Sequence, residues 1–297
     1  DSQANAESQI TKAAPSINVE NNQDHQSHGN SHGKAWHTVL DMPAFESLVA
    51  QLQAAPHFVI DTETTSLYWR HAEIVGLSFA LQAHEAYYIP LTHSLEGDAL
   101  TTQQLNRDSV LTTLKPILEN ANIGKIGQHL KYDAHILSHY DIDLIGAIHH
   151  LDGAASKNNW AMDTMLASYV INAAATRHGM DDLARHYLHT QTISYEDVAG
   201  KGAKQVSFDK VAIDIASDYA CEDADITYQL FELFSQKLAD DANNAKLLHE
   251  LEIPTAEILC QMEANGILIK RPFLNELSKR FDEEIIALEK RAYEVAG

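Results

Sequence analysis

The sequence predicts an α/β fold, a mixed β-sheet flanked by helices and followed by a purely helical stretch. Three observations predict it. Short runs of apolar, strand-favouring residues alternate with amphipathic helical stretches as far as about Thr164. Two of the strand runs are separated only by the polar stretch Gln82 to Glu85, a connection suited to a hairpin. Beyond Thr164 the apolar spacing turns helical.

Taken in order, Asp1 to about Lys34 is rich in Asn, Gln, Ser, Ala and His and nearly devoid of apolar periodicity. Such a stretch buries too little surface to offset its chain entropy and reads as a disordered linker. Its His25, His28 and His32 read as solvated low-complexity sequence, with adventitious metal binding as the alternative. Pro43 to Leu52 is helical, with Phe45, Leu48, Val49 and Leu52 on one face. Phe58-Val59-Ile60 is a strand that runs into Asp61-Thr62-Glu63-Thr64. Ile74 to Leu81 and Ala86 to Ile89 are the hairpin strands. Thr101 to Glu119 is an amphipathic helix, Ile123 to Gly127 a short buried strand, and Leu130 to His139 the helix after it. Ala147 to Asn159, with Gly153 and His149-His150, reads as an inserted surface loop, and Ala161 to Thr164 as one more strand. Helices are predicted over Thr164 to Ala173, Met180 to Leu188, Phe208 to about Ala239, and Lys246 to Ala264. Gly266 breaks the last of these, and Pro272 starts a final helix ending at Gly297. Gly200 to Gln205 is a basic loop without the spacing of a phosphate-binding P-loop.

Composition narrows the function. The net charge is -21, from 21 Lys+Arg against 42 Asp+Glu. That excludes a protein gripping duplex DNA over a broad basic face, but not a nucleic-acid enzyme whose site is built from carboxylates that recruit cations. No stretch is apolar for long enough to span a bilayer, no signal peptide opens the chain, and no membrane partner is expected. Two cysteines, Cys221 and Cys260, make no disulfide framework and no zinc pattern, which points to a reducing cytoplasm. The chain opens on Asp rather than Met and is read as a fragment or processed product.

The chemistry centres on carboxylates. Strand side chains alternate faces, so Asp61 and Glu63 project together while Thr62 points away. Two like charges that close need something positive between them, for which a divalent cation serves; the plain alternative is a strand ending in a polar turn. Asp133 sits in the first turn of a predicted helix, a place any carboxylate favours. Tyr219 and Asp223 are i and i+4 on a helix, hence on one face, with Ile215, Tyr219, Ile226 and Leu230 forming its inward stripe. Glu222 and Asp225 fall at other angles, and an ordinary surface ion-pair face is the alternative reading.

Together these motifs resemble the DEDD-type 3′→5′ exonucleases of the tyrosine subclass. Asp61 to Thr64 with Gly76-Leu77-Ser78-Phe79, Gly127 to Asp133, Asp163-Thr164-Met165, Ala199-Gly200-Lys201-Gly202 and Tyr219 to Asp225 are similar to the proofreading domain of bacterial family A DNA polymerases. Glu252-Ile253-Pro254 and Glu263-Ala264-Asn265-Gly266 resemble the opening helices of that family's polymerase domain. The resemblance implies a ribonuclease H-like sheet, a linker over 1–34, an exonuclease domain over 35–240, and the start of a polymerase domain over 241–297. It implies a metal site of Asp61, Glu63, Asp133 and Asp223 holding two divalent cations, Mg²⁺ first, with Mn²⁺ or Zn²⁺ as alternatives. Asp61 would bridge both ions, Glu63 and Asp223 would hold the first, and Asp133 would support the second through water. Tyr219 would orient the attacking water beside Glu63, since a phenol is a poor base at neutral pH.

Substrate contacts implied in the same way are Leu67 as a wedge beside the terminal bases, Tyr195 as a base-stacking aromatic, Arg177 at a phosphate, and Tyr132 and His129 near the strand. Plain packing is the alternative for Leu67 and Tyr195. His129 stands where the family usually has Asn, and its titration is expected to shape the acid limb of activity. The expected partners are the 3′ end of a single DNA strand and the rest of a polymerase chain, in a monomer. A silent structural spacer and an RNA-trimming exonuclease of the ribonuclease D type are the competing functions.

Overall fold

The computed structural model describes residues 33–144 and 160–297. The predicted linker up to residue 32, with its histidine run, and the predicted Ala147 to Asn159 loop lie outside the described residues.

A single six-stranded sheet organises the described chain. β1 (Ala35–Thr38) and helix α1 (Met42–Ala54) lead into β2 (His57–Thr64), and the hairpin β3 (Ile74–Gln82) and β4 (Glu85–Pro90) follows. Next come α2 (Arg107–Leu118), β5 (Gly124–Gly127), α3 (Leu130–Ser138) and β6 (Trp160–Asp163). The remainder is helical: α4 (Thr164–Asn172), α5 (Met180–Leu183), α6 (Tyr195–Ala199), α7 (Ile213–Ala239), α8 (Ala242–Leu247), α9 (Ile253–Asn265) and α10 (Arg271–Ala296). The strand order is β1-β4-β3-β2-β5-β6, antiparallel across β4-β3-β2 and parallel elsewhere. β2 is therefore interior, with Phe58, Val59 and Ile60 fully buried, as their unbroken apolar run requires.

The two faces of β2 look into two different cores. Phe58 and Ile60 join Phe45, Leu48 and Leu52 of α1, Leu111 and Leu114 of α2, and Leu130 and Leu137 of α3. Val59, with Val75, Tyr88 and Ile126, meets Ala216, Ala220, Cys221 and Ala224 of α7. The small residues of α7 let the 27-residue helix lie close against the sheet. Asp61 and Glu63 continue the Val59 parity and end on the α7 side; Thr62 continues the Ile60 parity and ends on the α3 side.

Several boundaries differ from expectation for local reasons. The helix predicted from Thr101 begins at Arg107, because Asn106 caps it on Ser109 N at 2.9 Å while Ala99–Gln103 closes a separate 3₁₀ turn under Asp98. The helix predicted from Phe208 begins at Ile213, after a 3₁₀ turn at Phe208–Lys210. The stretch predicted as helix from Lys246 divides into α8, a π-turn at Leu248–Glu252 and α9. β1 and α6 carried too short a pattern to be read. Ile215, placed on the inward stripe of α7, is half exposed at 50%. Glu222 and Asp225, allowed a surface ion-pair face, are buried at 5% and 0%. Asp225 Oδ1 instead accepts from His84 N at 2.7 Å and Gln229 Nε2 at 2.9 Å, which pins the β3–β4 turn to α7. Among the described residues no helix is long and apolar enough to cross a membrane.

Candidate active site

β2 ends in a cleft of about 710 Å³ whose lining includes Asp61, Glu63, Tyr132, Tyr195, Tyr219 and Asp223. Asp61 and Glu63 come from the strand end and Asp223 from the middle of α7. Each offers a carboxylate oxygen, and the three oxygens all lie within 4.8 Å of one another. Asp133 approaches from the opposite layer, on the first turn of α3; its charge acts on Glu63, and the charge of Asp61 acts on it.

What holds Asp133 there is Thr62. The Thr62 amide donates to Asp133 Oδ1 at 3.0 Å and its hydroxyl donates to the same oxygen at 2.7 Å. The residue dismissed by parity as facing away is thus the one that fastens the fourth carboxylate to the strand carrying the first two.

The electrostatics are those of an anion cage. Burial, then mutual repulsion, raises Glu63, Asp133 and Asp223 well above the usual carboxylate range, and burial raises Asp61 to about 6. A pair of like charges at this separation costs roughly 3–4 kcal/mol at an effective dielectric of about 20. Glu63 Oε1 and Asp223 Oδ1 are buried with no hydrogen-bond partner among the described residues. An all-oxygen set of close, under-coordinated carboxylates fits hard divalent cations such as Mg²⁺ or Mn²⁺. Tyr219, half-buried beside them, is held protonated far above neutral pH by burial and by the charges of Asp223, Glu63 and Asp61.

The floor of the site explains one glycine. Gly76 pairs with Glu63 across β3 and β2, and a Cβ there would sit 2.2 Å from the Tyr88 hydroxyl. Tyr88 is fully buried, and its hydroxyl lies 2.7 Å from His93 Nε2. His93 Nδ1 donates to Val211 O at 3.0 Å, so Nε2 of the neutral ring accepts from Tyr88.

The expected substrate contacts divide. Leu67 is 94% exposed on the cleft rim, which removes plain packing as its explanation. Tyr132 braces that rim: its hydroxyl donates to Ser66 O at 2.6 Å and lies 2.5 Å from Thr64 Oγ1. Tyr195 lines the cleft with its ring 6.3 Å from those of Tyr219 and Phe208. Arg177 does not line the cleft; it opens on a second pocket with Arg185, His186 and His189. His129 does not line it either. It is the left-handed residue (φ 66°) before α3, its amide donating to Asp163 Oδ1 at 3.1 Å. Asn tolerates that conformation better than most residues, a backbone reason for Asn at this place. Asp163, which sequence reading gave no role, also takes Leu130 N at 2.9 Å and Met165 N at 3.0 Å, so one side chain starts both α3 and α4. Thr62, Tyr88 and the cleft-lining Gln205 and Ser207 were missed as well; none has a sequence signal beyond ordinary strand or loop composition.

The family described as 3′-5′ exonuclease matches residues 36–239, which contain every carboxylate of the site. The chain belongs to this 3′-5′ exonuclease family. DNA polymerase I of Pseudomonas aeruginosa is 43% identical over 259 residues, covering 87% of this chain and 27% of that protein. DNA polymerase I of Rhizobium leguminosarum is 36% identical over 277 residues, covering 89% of this chain and 26% of the relative. The chain therefore spans about a quarter of the curated relatives it matches. In fold, the exonuclease chain is similar to the POL domain of Pol1 from M. smegmatis, at TM-score 0.60 and 20% identity over 88% of this chain and 37% of the other. It is also similar to Brucella melitensis NrnC, at TM-score 0.52 and 18% identity over 80% of this chain and 98% of the other.

Proposed function

We propose that this exonuclease removes nucleotides from the 3′ end of a single or frayed DNA strand by divalent-metal-dependent hydrolysis, as the proofreading part of a DNA polymerase I. The observation that carries this reading is the convergence of Asp61, Glu63 and Asp223 oxygens within 4.8 Å, with Asp133 fastened alongside. Asp61, Glu63, Asp223 and Asp133 would hold two divalent cations, Mg²⁺ in the first place. When bound, such a pair neutralises the phosphodiester and acidifies an attacking water.

The chain's own groups supply orientation. Tyr219 keeps its proton, so its hydroxyl serves as a donor that orients the water rather than as a base. Glu63, with Oε1 free, is the acceptor on the other side. Leu67 and Tyr195 flank the cleft as apolar and aromatic surfaces on which terminal bases of any sequence can rest. The acidic surface leaves duplex binding to another part of a longer polymerase. Residues 241–297 are proposed as the start of that part, and the exposed apolar side chains Ile258, Met262, Ile267, Leu268 and Phe273 suit packing against further chain.

The test is Asp223→Ala. It should abolish Mg²⁺- or Mn²⁺-dependent shortening of an end-labelled single strand while the circular dichroism spectrum stays that of the parent. Full activity in the variant would refute the assignment. A silent spacer would have no use for four converging carboxylates, and the relatives matched are DNA polymerases rather than RNA-trimming enzymes.

A further inference from the structure

Glu222 is a buried carboxylate for which the metal site has no use. It adjoins Asp223 on α7 and is 5% exposed, yet it is absent from both the carboxylate trio and the cleft lining. Its Oε2 accepts from the Ile193 amide, and its Oε1 lies 3.7 Å from Lys34 Nζ.

Ile193 stands two residues before Tyr195. The connection it belongs to is fastened at three successive residues. Thr192 Oγ1 donates to Asp181 Oδ1 at 2.7 Å, Ile193 N to Glu222, and Ser194 Oγ accepts from Asp197 N at 3.2 Å to cap α6. α6 is only five residues long and cannot hold its own position by helix formation. Of the three fastenings, the Ile193 bond is the one that reaches α7, the helix carrying Tyr219 and Asp223. Tyr195 then presents its ring 6.3 Å from Tyr219 at 74°, and 6.3 Å from Phe208 at 19°.

We propose that Glu222 is a positioning residue: by binding the Ile193 amide it registers Tyr195 against Tyr219 and so sets the seat of the terminal base. The inference rests on the exonuclease reading and on Tyr195 as the stacking surface. It differs from a metal role in what it predicts. Loss of Glu222 loosens the seat, so it acts on substrate binding and leaves the carboxylate trio in place.

The experiment is a double-mutant cycle on the 297-residue chain, measuring kcat and KM on a labelled single strand with Mn²⁺, and Mn²⁺ affinity separately. Glu222→Ala should raise KM about tenfold, within the range of one base–aromatic stack, with kcat and Mn²⁺ affinity within about twofold of the parent on the same argument. Glu222→Gln retains an acceptor for Ile193 N and should restore the parent KM. Glu222→Asp keeps the charge but loses the reach, and should behave like the alanine variant; it also serves if alanine prevents folding. In a Tyr195→Ala background, removing Glu222 should add nothing. Full additivity there, or a fall in kcat and Mn²⁺ affinity at unchanged KM, would overturn the proposal. A parent chain without any Mg²⁺- or Mn²⁺-dependent activity would instead sink the exonuclease reading beneath it.

Discussion

Thr62 lies in the sheet and Asp133 on the helix packed beside it, and both hydrogen-bond donors of Thr62 converge on one oxygen of Asp133, at 2.7 and 3.0 Å. The fourth carboxylate is thereby tied to β2, the strand that carries Asp61 and Glu63. Thr62→Val keeps the shape and the amide bond but deletes the hydroxyl. A buried hydrogen bond to a charged group contributes about 1.5–3 kcal/mol. Thr62→Val should therefore lower kcat at least about tenfold at subsaturating metal, while Thr62→Ser stays near the parent. Equal activity of valine and serine variants would show that the hydroxyl does not position Asp133.

The carboxylate cage should trade stability for function. In chelator-treated protein, Glu63→Gln or Asp223→Asn relieves buried repulsion and should raise Tm. In the parent, Mg²⁺ at about 100 times its Kd should add about 2.7 kcal/mol by mass action, and that increment should vanish in either variant. Thermal melts with chelator and with Mg²⁺ give both numbers; a Tm that falls in the metal-free variants would contradict the repulsion argument.

Gly76 is required by Tyr88. A Cβ at residue 76 would meet the Tyr88 ring at 2.2–2.4 Å, and a fully buried ring has nowhere to go. Gly76→Ala should cost at least about 1–3 kcal/mol, the usual penalty of overpacking. Tyr88→Phe should not rescue it, because ring carbons also clash. Urea melts of the three variants decide.

Glu257 on α9 gives a pH dependence. Burial first, then the Asp143 charge, moves its carboxyl from 4.5 to about 7. Below its ordinary value the group is protonated in both folded and unfolded chains and costs nothing. Between pH 4.5 and 7 the unfolded chain ionises first, so folded stability falls as pH rises, and the loss is complete above 7. Glu257→Gln should leave stability unchanged near pH 4.5 and raise it at pH 8, by about 1–2 kcal/mol after solvent screening, read as a higher Tm at pH 8 only. An equal effect at both pH values would exclude the ionisation.

His129→Asn tests the left-handed residue at the start of α3. Since Asn enters that region more readily than His, the variant should be more stable by a few tenths of a kcal/mol to about 1 kcal/mol. Its pH–rate profile also examines whether the histidine shapes the acid limb; an unchanged profile removes that role.

Much of the site was legible because short-range periodicity is a property of the chain itself. Alternation along a strand sets Asp61 and Glu63 on one face, and helical spacing does the same for Tyr219 and Asp223, whatever surrounds them. The strands and helices that bear them were legible for the same reason, their ends less so where a cap such as Asn106 or a 3₁₀ turn intervened.

By itself, then, the sequence determined the mixed α/β order, the acidic character and the two same-face pairs that make a metal site chemically sensible. The tertiary structure decided what those pairs face. Residue parity put Thr62 on the correct side, away from Asp61 and Glu63, but only the packing of α3 brings Asp133 to it there. Helical angle alone left Glu222 and Asp225 on a surface, whereas α7 has neighbours on nearly every side and buries both. Contacts between Thr62 and Asp133, or Glu222 and Ile193, join residues 71 and 29 apart in the chain. No local pattern encodes such a pairing, because it depends on how whole layers stack around β2.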